Sequence, residues 1–546
     1  MKNVVSLFYP DGYSNNERSS QAKRFRDFAV NLELEYIASI ISPHHQEYAL
    51  RILSELNTDH EVIKYRQAIL QDFMDNPQLE SVLTGSIQTL FGTYKTANVY
   101  TGSTHSFFEL NENVQAIKVY IDCMEEFHKL HVSAYGKFKS AGIRKLMDLF
   151  EESYNSAHFA RIKEEIELIS EKLATGIKSV TVGINLDDMM RPFEAALIRV
   201  DDAHFREKKM FDRFLYKNIP ENSVDSLYSS INKSGGVVES NKALFSELTK
   251  VSFDFMKHLN IAFSSFYKVS TDYIIELVPQ INYYTGLKKL AERLKYNGLP
   301  VCLPEIASMG GRVTHVEDMY DLAFVNKYMA SVSKKGKNGK GKDKSEVALN
   351  DCVMDDNGRI FILTGPNNGG KTTYARGVGI CHVLAQAGAF IPGRKAYISP
   401  ADNIFTHFPR EEEIGINTSR FTEECKELKV TAENATEYSM VLLNESISST
   451  TPSECIFVAE EILKILNDIV VRSIYVTHMF DLAFKADEIN QSVKGKSKIV
   501  SIVSGCDEKG DRNYKITKSL PLKSSYAADI LKKYGINYEN YKKIKK

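Results

Sequence analysis

Apolar residues along the first 175 positions recur every three or four residues, as at Val114, Ile117, Ile121 and Met124 and again at Ile162, Ile166, Ile169 and Leu173. That period, with polar residues between, predicts a series of helices from about 20 to 175, each carrying one apolar stripe and so obliged to pack on another. The period changes after Gly176. Val180-Thr181-Val182-Gly183-Ile184 alternates as a half-buried strand does, and Ala195 to Val200 follows a turn carrying Arg191-Pro192. A small β insert over about 176–235, closed by Gly235-Gly236, is therefore expected among the helices. Beyond it Leu244, Leu248, Val251, Phe255, Leu259, Ala262, Phe266, Val269 and Tyr273 recur with no Gly or Pro before Pro279. A helix of that extent is roughly 45 Å long, which suits a strut or lever and equally a member of a large bundle. From Ser331 to Ser345 the apolar signal stops, and Lys334, Lys335, Lys337, Lys340, Lys342 and Lys344 stand among Gly, Asn and Ser. Such a stretch reads as a solvated linker or loop, with a nucleic-acid arm as the alternative.

The C-terminal half alternates strand and helix signals, as an α/β nucleotide-binding sheet does. Three of its apolar runs end in polar residues. The first, Ile360 to Thr364, empties into Gly365-Pro366-Asn367-Asn368-Gly369-Gly370-Lys371-Thr372-Thr373, a G-x-x-x-x-G-K-[ST] phosphate loop. Its glycines let backbone N–H groups turn inward and cradle phosphate oxygens at the start of the next helix. Lys371 would neutralise phosphate charge, and the Thr372 hydroxyl would face Mg²⁺. The second run, Tyr438 to Glu445, is expected beside the phosphate-loop strand; there Asn444 would reach the metal through water, and Glu445 would both face the metal and polarise the attacking water. The third, Ile474 to His478, brings a histidine that could touch the γ-phosphate.

Length and charge narrow the picture. A chain of 546 residues exceeds one core and predicts two to four domains. Its 69 basic and 70 acidic residues leave a net charge of −1, so nucleic acid cannot be held by bulk positive charge and any contact must come from local patches. One such patch is Lys178, Arg191, Lys208, Lys209, Arg213 and Lys217 in the β insert, which a solvated face would explain equally well. The 7 cysteines show no C-x-x-C pairing, so neither a zinc site nor a disulfide framework is indicated. The N-terminus lacks a signal-peptide core and no apolar run is long enough to span a membrane, which suits a reducing cytoplasm.

Gly365 to Thr373 resembles the G-P-N-M-G-G-K-S-T loop of the MutS ATPases. Ser419 to Glu424 and Asn434 to Ser439 are similar to that family's S-T-F-x-x-E and N-A-T-x-x-S segments, and Thr477-His478-Met479-Phe480 to its T-H-Y-F. The order and spacing hold over about 347–546, and the helices of about 40–325 resemble the family's core and lever domains more loosely. The resemblance implies a P-loop ATPase domain of the ABC type at 347–546, behind a mainly α-helical core and lever domain at 1–330, with 331–346 as linker. It also implies ATP and Mg²⁺ as cofactors, head-to-tail pairing of two ATPase domains, and a loop near Ser419 that reaches the partner's nucleotide.

The chain departs from the family pattern at three places. No room is expected before the core helices for mismatch-reading and connector domains, and Phe107-Phe108-Glu109 is one of several triplets that match the reader's Phe-x-Glu. Asn444 replaces the family's aspartate at the end of the second strand, the Walker B position, which removes a charge from the Mg²⁺ shell. Asn417 and Arg420 stand where the signature loop usually has glycine and threonine. No nuclease-type domain is expected after Tyr526. The expected function is a homodimeric, slowly hydrolysing ATPase that clamps branched or structured DNA. The alternative is a scaffold that binds ATP without turnover and clamps a protein or ribosomal partner.

Overall fold

The computed structural model describes residues 5–13, 27–99, 107–175, 179–190, 192–201, 257, 259–335, 347–409, 420–447, 449–493, 497–506, 512–521 and 542. Asn417, Ser419, the helical run 244–256, the basic residues Lys178, Arg191, Lys208, Lys209, Arg213 and Lys217, and most of the stretch read as a linker lie outside these residues. The chain groups into two compact units whose boundaries are not collinear with the sequence. One comprises Met1–Val5, Pro77–Phe138 and Arg144–Val278, the other Ser6–Asn76, Lys139–Ile143 and Pro279–Lys546.

The described residues of the first unit are mainly helical. Its longest elements, Pro77–Val99 and Phe107–Ala134, bury the stripe read from the sequence, with Val114, Ile117 and Met124 fully enclosed. Phe127 stacks on Phe150 of the helix Ala141–Tyr154, ring centroids 4.2 Å apart. Residues 259–275 are helical, and Tyr267 from them shares a hydroxyl hydrogen bond with Thr93 at 2.7 Å. Strands β1 (Ser179–Leu186) and β2 (Pro192–Asp201) form an antiparallel hairpin, longer at both ends than the alternation of apolar residues suggested.

The second unit holds two sheets. Labelled in chain order, β3 (Glu305–Ile306), β4 (Thr314–Met319), β5 (Asn350–Met354) and β7 (Lys395–Ile398) make a four-stranded sheet in the order β3-β7-β4-β5. The other sheet contains β6 (Ile360–Thr364), β8 (Ile404–His407), β9 (Met440–Asn444), β10 (Arg472–Val476), β11 (Ile499–Cys506) and β12 (Arg512–Lys518). They lie in the order β12-β11-β6-β10-β9-β8, all parallel except the antiparallel edge strand β12. β6, β9 and β10 are buried along their whole length, as a parallel sheet covered on both faces requires of runs rich in Ile, Val and Leu. One face, through Ile360, Ile362, Val441 and Leu443, packs on Ala459, Leu463 and Leu466 of the helix Pro452–Ile469. That helix starts where the sequence Thr-Pro-Ser-Glu provides both halves of a capping box, Thr451 and Glu454.

The strand order corrects one expectation. The sequence leads one to expect β9 beside β6, but β10 lies between them, hydrogen-bonded to both. Each run alone could pair with either neighbour, because a short buried run records its burial and not the strand beside it.

The N-terminal helices belong to this second unit. Gly286 of the helix Val278–Tyr296 lies so close to the helix Leu34–Ile41 that a Cβ there would fall 1.6 Å from the Ile41 carbonyl oxygen. Arg66 of the helix His60–Asp75 is fully buried, pairs with Glu55 at 2.8 Å and donates to the Phe8 carbonyl at 3.0 Å. The helix Leu322–Lys335 runs five residues into the stretch read as a linker.

Candidate active site

The carboxyl ends of β6, β10 and β9 lie side by side, where open α/β sheets bind ligands. At the first, the chain turns through Gly365 at φ 139° and Gly370 at φ 85°, conformations that only glycine takes without strain. A Cβ on Gly365 would also meet Ser504 Cβ at 2.8 Å, and one on Gly369 would meet Ser504 Oγ at 2.7 Å. Asn367 and Asn368 stand exposed at the tip, Asn368 at φ 56°, while Pro366 and Gly369 are buried. The Gly369 N–H donates to the Pro366 carbonyl at 3.1 Å. Gly370 then caps the helix Lys371–Gln386, whose first turn carries Thr372 and Thr373.

Lys371 folds back over this loop and donates to the carbonyls of Gly365 and Pro366 at 3.1 and 3.0 Å. Burial pushes its ammonium down to about 8, the charge of Arg512 adds to that, and Glu445 opposes it. A buried cation with only neutral partners at bonding distance is poised for an anion. The Thr372 hydroxyl donates to Asn444 Oδ1 at 3.1 Å, so the loop and the end of β9 meet although their strands are not neighbours. Glu445 follows in the left-handed region at φ 50°, its N–H bonded to the Val476 carbonyl at 2.9 Å. A glutamate there is strained, and its carboxylate meets a side chain just beyond the end of β10. His478 Nε2 lies 2.6 Å from Glu445 Oε1, and this hydrogen bond holds the carboxyl below the usual carboxylate range.

Twelve of the residues singled out in the sequence, Gly365 to Thr373 with Asn444, Glu445 and His478, thus lie at or just beyond the carboxyl ends of β6, β9 and β10. Ser419 lies outside the described residues. Thr372 and Asn444 offer neutral oxygens and Glu445 an anionic one, a hard donor set that fits a Mg²⁺ ion keeping several waters. Among the described residues no group of three or more His, Cys, Asp or Glu side chains is arranged to hold a metal without such help.

Three residues on β11 and β12 escaped the sequence reading. Ser504 donates to the Gly369 carbonyl at 2.5 Å and braces the loop from β11. The β11–β12 pairing is irregular between Ser504 and Cys506, and Tyr514, at φ 56°, sits opposite this irregularity with its Cδ1 3.5 Å from the Cβ position of Gly370. Bulges beside active sites re-aim side chains, and here one brings an aromatic ring to the loop while Arg512 adds positive charge. An apolar run ending in Ser-Gly was the available signal for Ser504; the sequence carries none for the other two.

Residues 361–539 match the family model of MutS domain V, and residues 58–296 that of the MutS2 N-terminal domain. The chain is similar to the DNA mismatch repair protein MutS of Thermosipho melanesiensis, 33% identical over 183 residues that make up 32% of this chain and 22% of the relative. It is similar also to the protein of that name from Bacillus subtilis, 32% identical over 150 residues, 27% of this chain and 18% of the relative. The matched segment spans about a fifth of the length of these curated relatives.

Proposed function

The chain belongs to the MutS family, and from that premise we propose that it is an ATP-dependent DNA-binding protein, a homodimeric clamp on branched or structured DNA in repair or recombination, with slow ATP hydrolysis. The observation that carries the catalytic part is the meeting of three strand ends beneath one phosphate loop, with Thr372 against Asn444 and His478 against Glu445. Lys371 binds phosphate charge, the loop N–H groups orient it, and Glu445 accepts a proton from the attacking water while His478 fixes the carboxylate's direction. Thr372, Glu445 and, through water, Asn444 would hold a Mg²⁺ ion, which would supply charge neutralisation at the phosphates. Asn444 contributes a dipole where an aspartate contributes a full charge, so the metal is weakened more than the nucleotide and turnover is slow.

For function we divide the chain into a core and lever segment at 1–330 with a clamp-like insert at about 176–235, a linker at 331–346 and an ATPase segment at 347–546 that pairs with its copy. The loop of Ser419 reaches the partner's nucleotide in this reading. No described helix is long and apolar enough to cross a membrane, and a cytoplasmic site of action is part of the proposal. Asn444 also favours a second reading, a scaffold that binds ATP without turnover and clamps a protein or ribosomal partner.

Measuring Mg²⁺-dependent turnover beside ATP affinity separates the two. The first reading expects Asn444→Asp to raise the rate and lower the Mg²⁺ requirement, and Glu445→Gln to abolish turnover with ATP-dependent dimerisation intact. A wild type as fast as Asn444→Asp at limiting Mg²⁺ sinks the slow-ATPase reading, and turnover by neither form leaves the scaffold.

A further inference from the structure

Three consecutive residues, Asn31 at the end of the short helix Asp27–Asn31 and Leu32 and Glu33 in the turn before the helix Leu34–Ile41, each touch a different part of the scaffold that carries the nucleotide site. Asn31 Nδ2 donates to Thr406 Oγ1 on β8 at 2.8 Å. Leu32, wholly buried, presses on Gly379 of the helix Lys371–Gln386, where a Cβ would fall 2.7 Å from Leu32 Cδ2 and 2.8 Å from Leu442 Cδ1 on β9. Glu33 accepts from Arg376 Nη1 at 2.6 Å and pairs with Lys327 as well.

Arg376 stands four residues after Thr372 and so lies one turn further along the same helix face. Its Nε donates to Asp321 Oδ2 at 2.6 Å, and the Asp321 side chain is completely buried. One guanidinium is thus shared between two carboxylates from different elements, one of them fixed in the core and the other on a turn. Glu33 sits at φ 55°, a conformation glutamate rarely takes, so the turn is held by these contacts rather than by its own preference. The absence of a side chain at Gly379 leaves Leu32 in direct contact with the helix backbone, and such dense packing transmits small displacements instead of absorbing them.

We propose that the turn Asn31–Leu32–Glu33 couples nucleotide occupancy to the N-terminal helices, with Glu33 acting through Arg376 as a positioning residue for the helix that begins at Lys371. The inference rests on the ATPase reading. A triphosphate that draws the loop inward moves the first turns of this helix. Arg376 then shifts its balance between Asp321 and Glu33, and Leu32 follows Gly379. Linkage makes the effect mutual: loosening the turn alters how the loop meets the nucleotide.

Hydrogen exchange of the amides in Leu34–Ile41, read in the full chain with and without Mg²⁺ and ATP, tests this. Glu33→Asn removes the charge yet suits a left-handed backbone, so the fold should survive. The wild type is expected to slow its exchange there by about fivefold on binding ATP. Glu33→Asn should lose at least half of that response and show a lower kcat with little change in KM, at a similar melting temperature. Arg376→Lys, which keeps the charge but only one of the two pairs, should fall between them and serves if Glu33→Asn does not fold. A full response in both variants, or none in a wild type shown to bind ATP, overturns the coupling. A wild type that binds no ATP fails earlier, at the ATPase reading, and the missing nucleotide signal identifies that outcome.

Discussion

At the scale of single residues the site is organised by one cation and one anion, each held away from its ordinary titration. Burial lowers Lys371 to about 8. Below that pH the free site already carries the ammonium; above it, binding a triphosphate must take up a proton. ATP affinity should therefore be level below about pH 8 and fall above it, by up to about tenfold per pH unit. The sign for stability is the opposite, since the unfolded lysine, at 10.5, keeps its proton longer: through this group the empty protein gains stability between about 8 and 10.5. Lys371→Ala should bind ATP weakly and without this pH dependence, as nucleotide titration by fluorescence would show; unchanged affinity would mean that the loop does not bind phosphate. His478→Ala should lower kcat by on the order of tenfold or more with little change in ATP affinity, because it frees the Glu445 carboxylate from the imidazole that orients it. A mutant with wild-type kcat would remove His478 from the machinery.

At the scale of elements, the helix Lys371–Gln386 is the piece on which the second unit converges. Its N-terminus carries the loop, Arg376 and Gly379 meet the N-terminal turn, and Gln386 donates to the carbonyls of Asn57 and Ala401 at 3.1 and 2.8 Å. The N-terminal helices keep their own close approach at Gly286. Gly286→Ala would set a methyl against the Ile41 carbonyl, and separating the helices should cost about 3 kcal/mol or more, visible as a drop of several degrees in melting temperature. A melting temperature unchanged within a degree would mean that this crossing is not tightly packed. The periodicity of the chain made these elements legible: the stripe at Val114, Ile117 and Met124 is buried as read, and each of the three apolar runs beside the crevice is a strand. Their order was not legible, because a short apolar run names its burial but not its neighbour.

For the whole molecule, near-zero net charge leaves the proposed DNA binding to local patches, and the candidates named from the sequence are Lys208, Lys209 and Arg213 of the expected insert. Neutralising all three together should weaken DNA affinity and flatten its dependence on salt, the logarithmic slope falling by about one for each phosphate that is no longer neutralised. An unaltered slope in a titration across salt concentrations takes these residues off the DNA-binding surface. That result would leave the ATPase reading standing, since the phosphate loop and the insert are argued from different residues.

The sequence by itself determined the phosphate loop, the identities of Lys371, Thr372, Asn444, Glu445 and His478, and the alternation of strands and helices around them. Those features are local: glycines at fixed spacing, a lysine at a helix start and polar residues at strand ends follow from a few neighbouring positions. Only the tertiary structure decided that β10 separates β6 from β9, that Ser504 braces Gly369, and that a bulge brings Tyr514 to Gly370. It alone placed Glu33 on Arg376, 343 positions away in the chain. Pairings between such distant residues depend on which faces the packed core brings together, and no periodicity along a single chain records that choice.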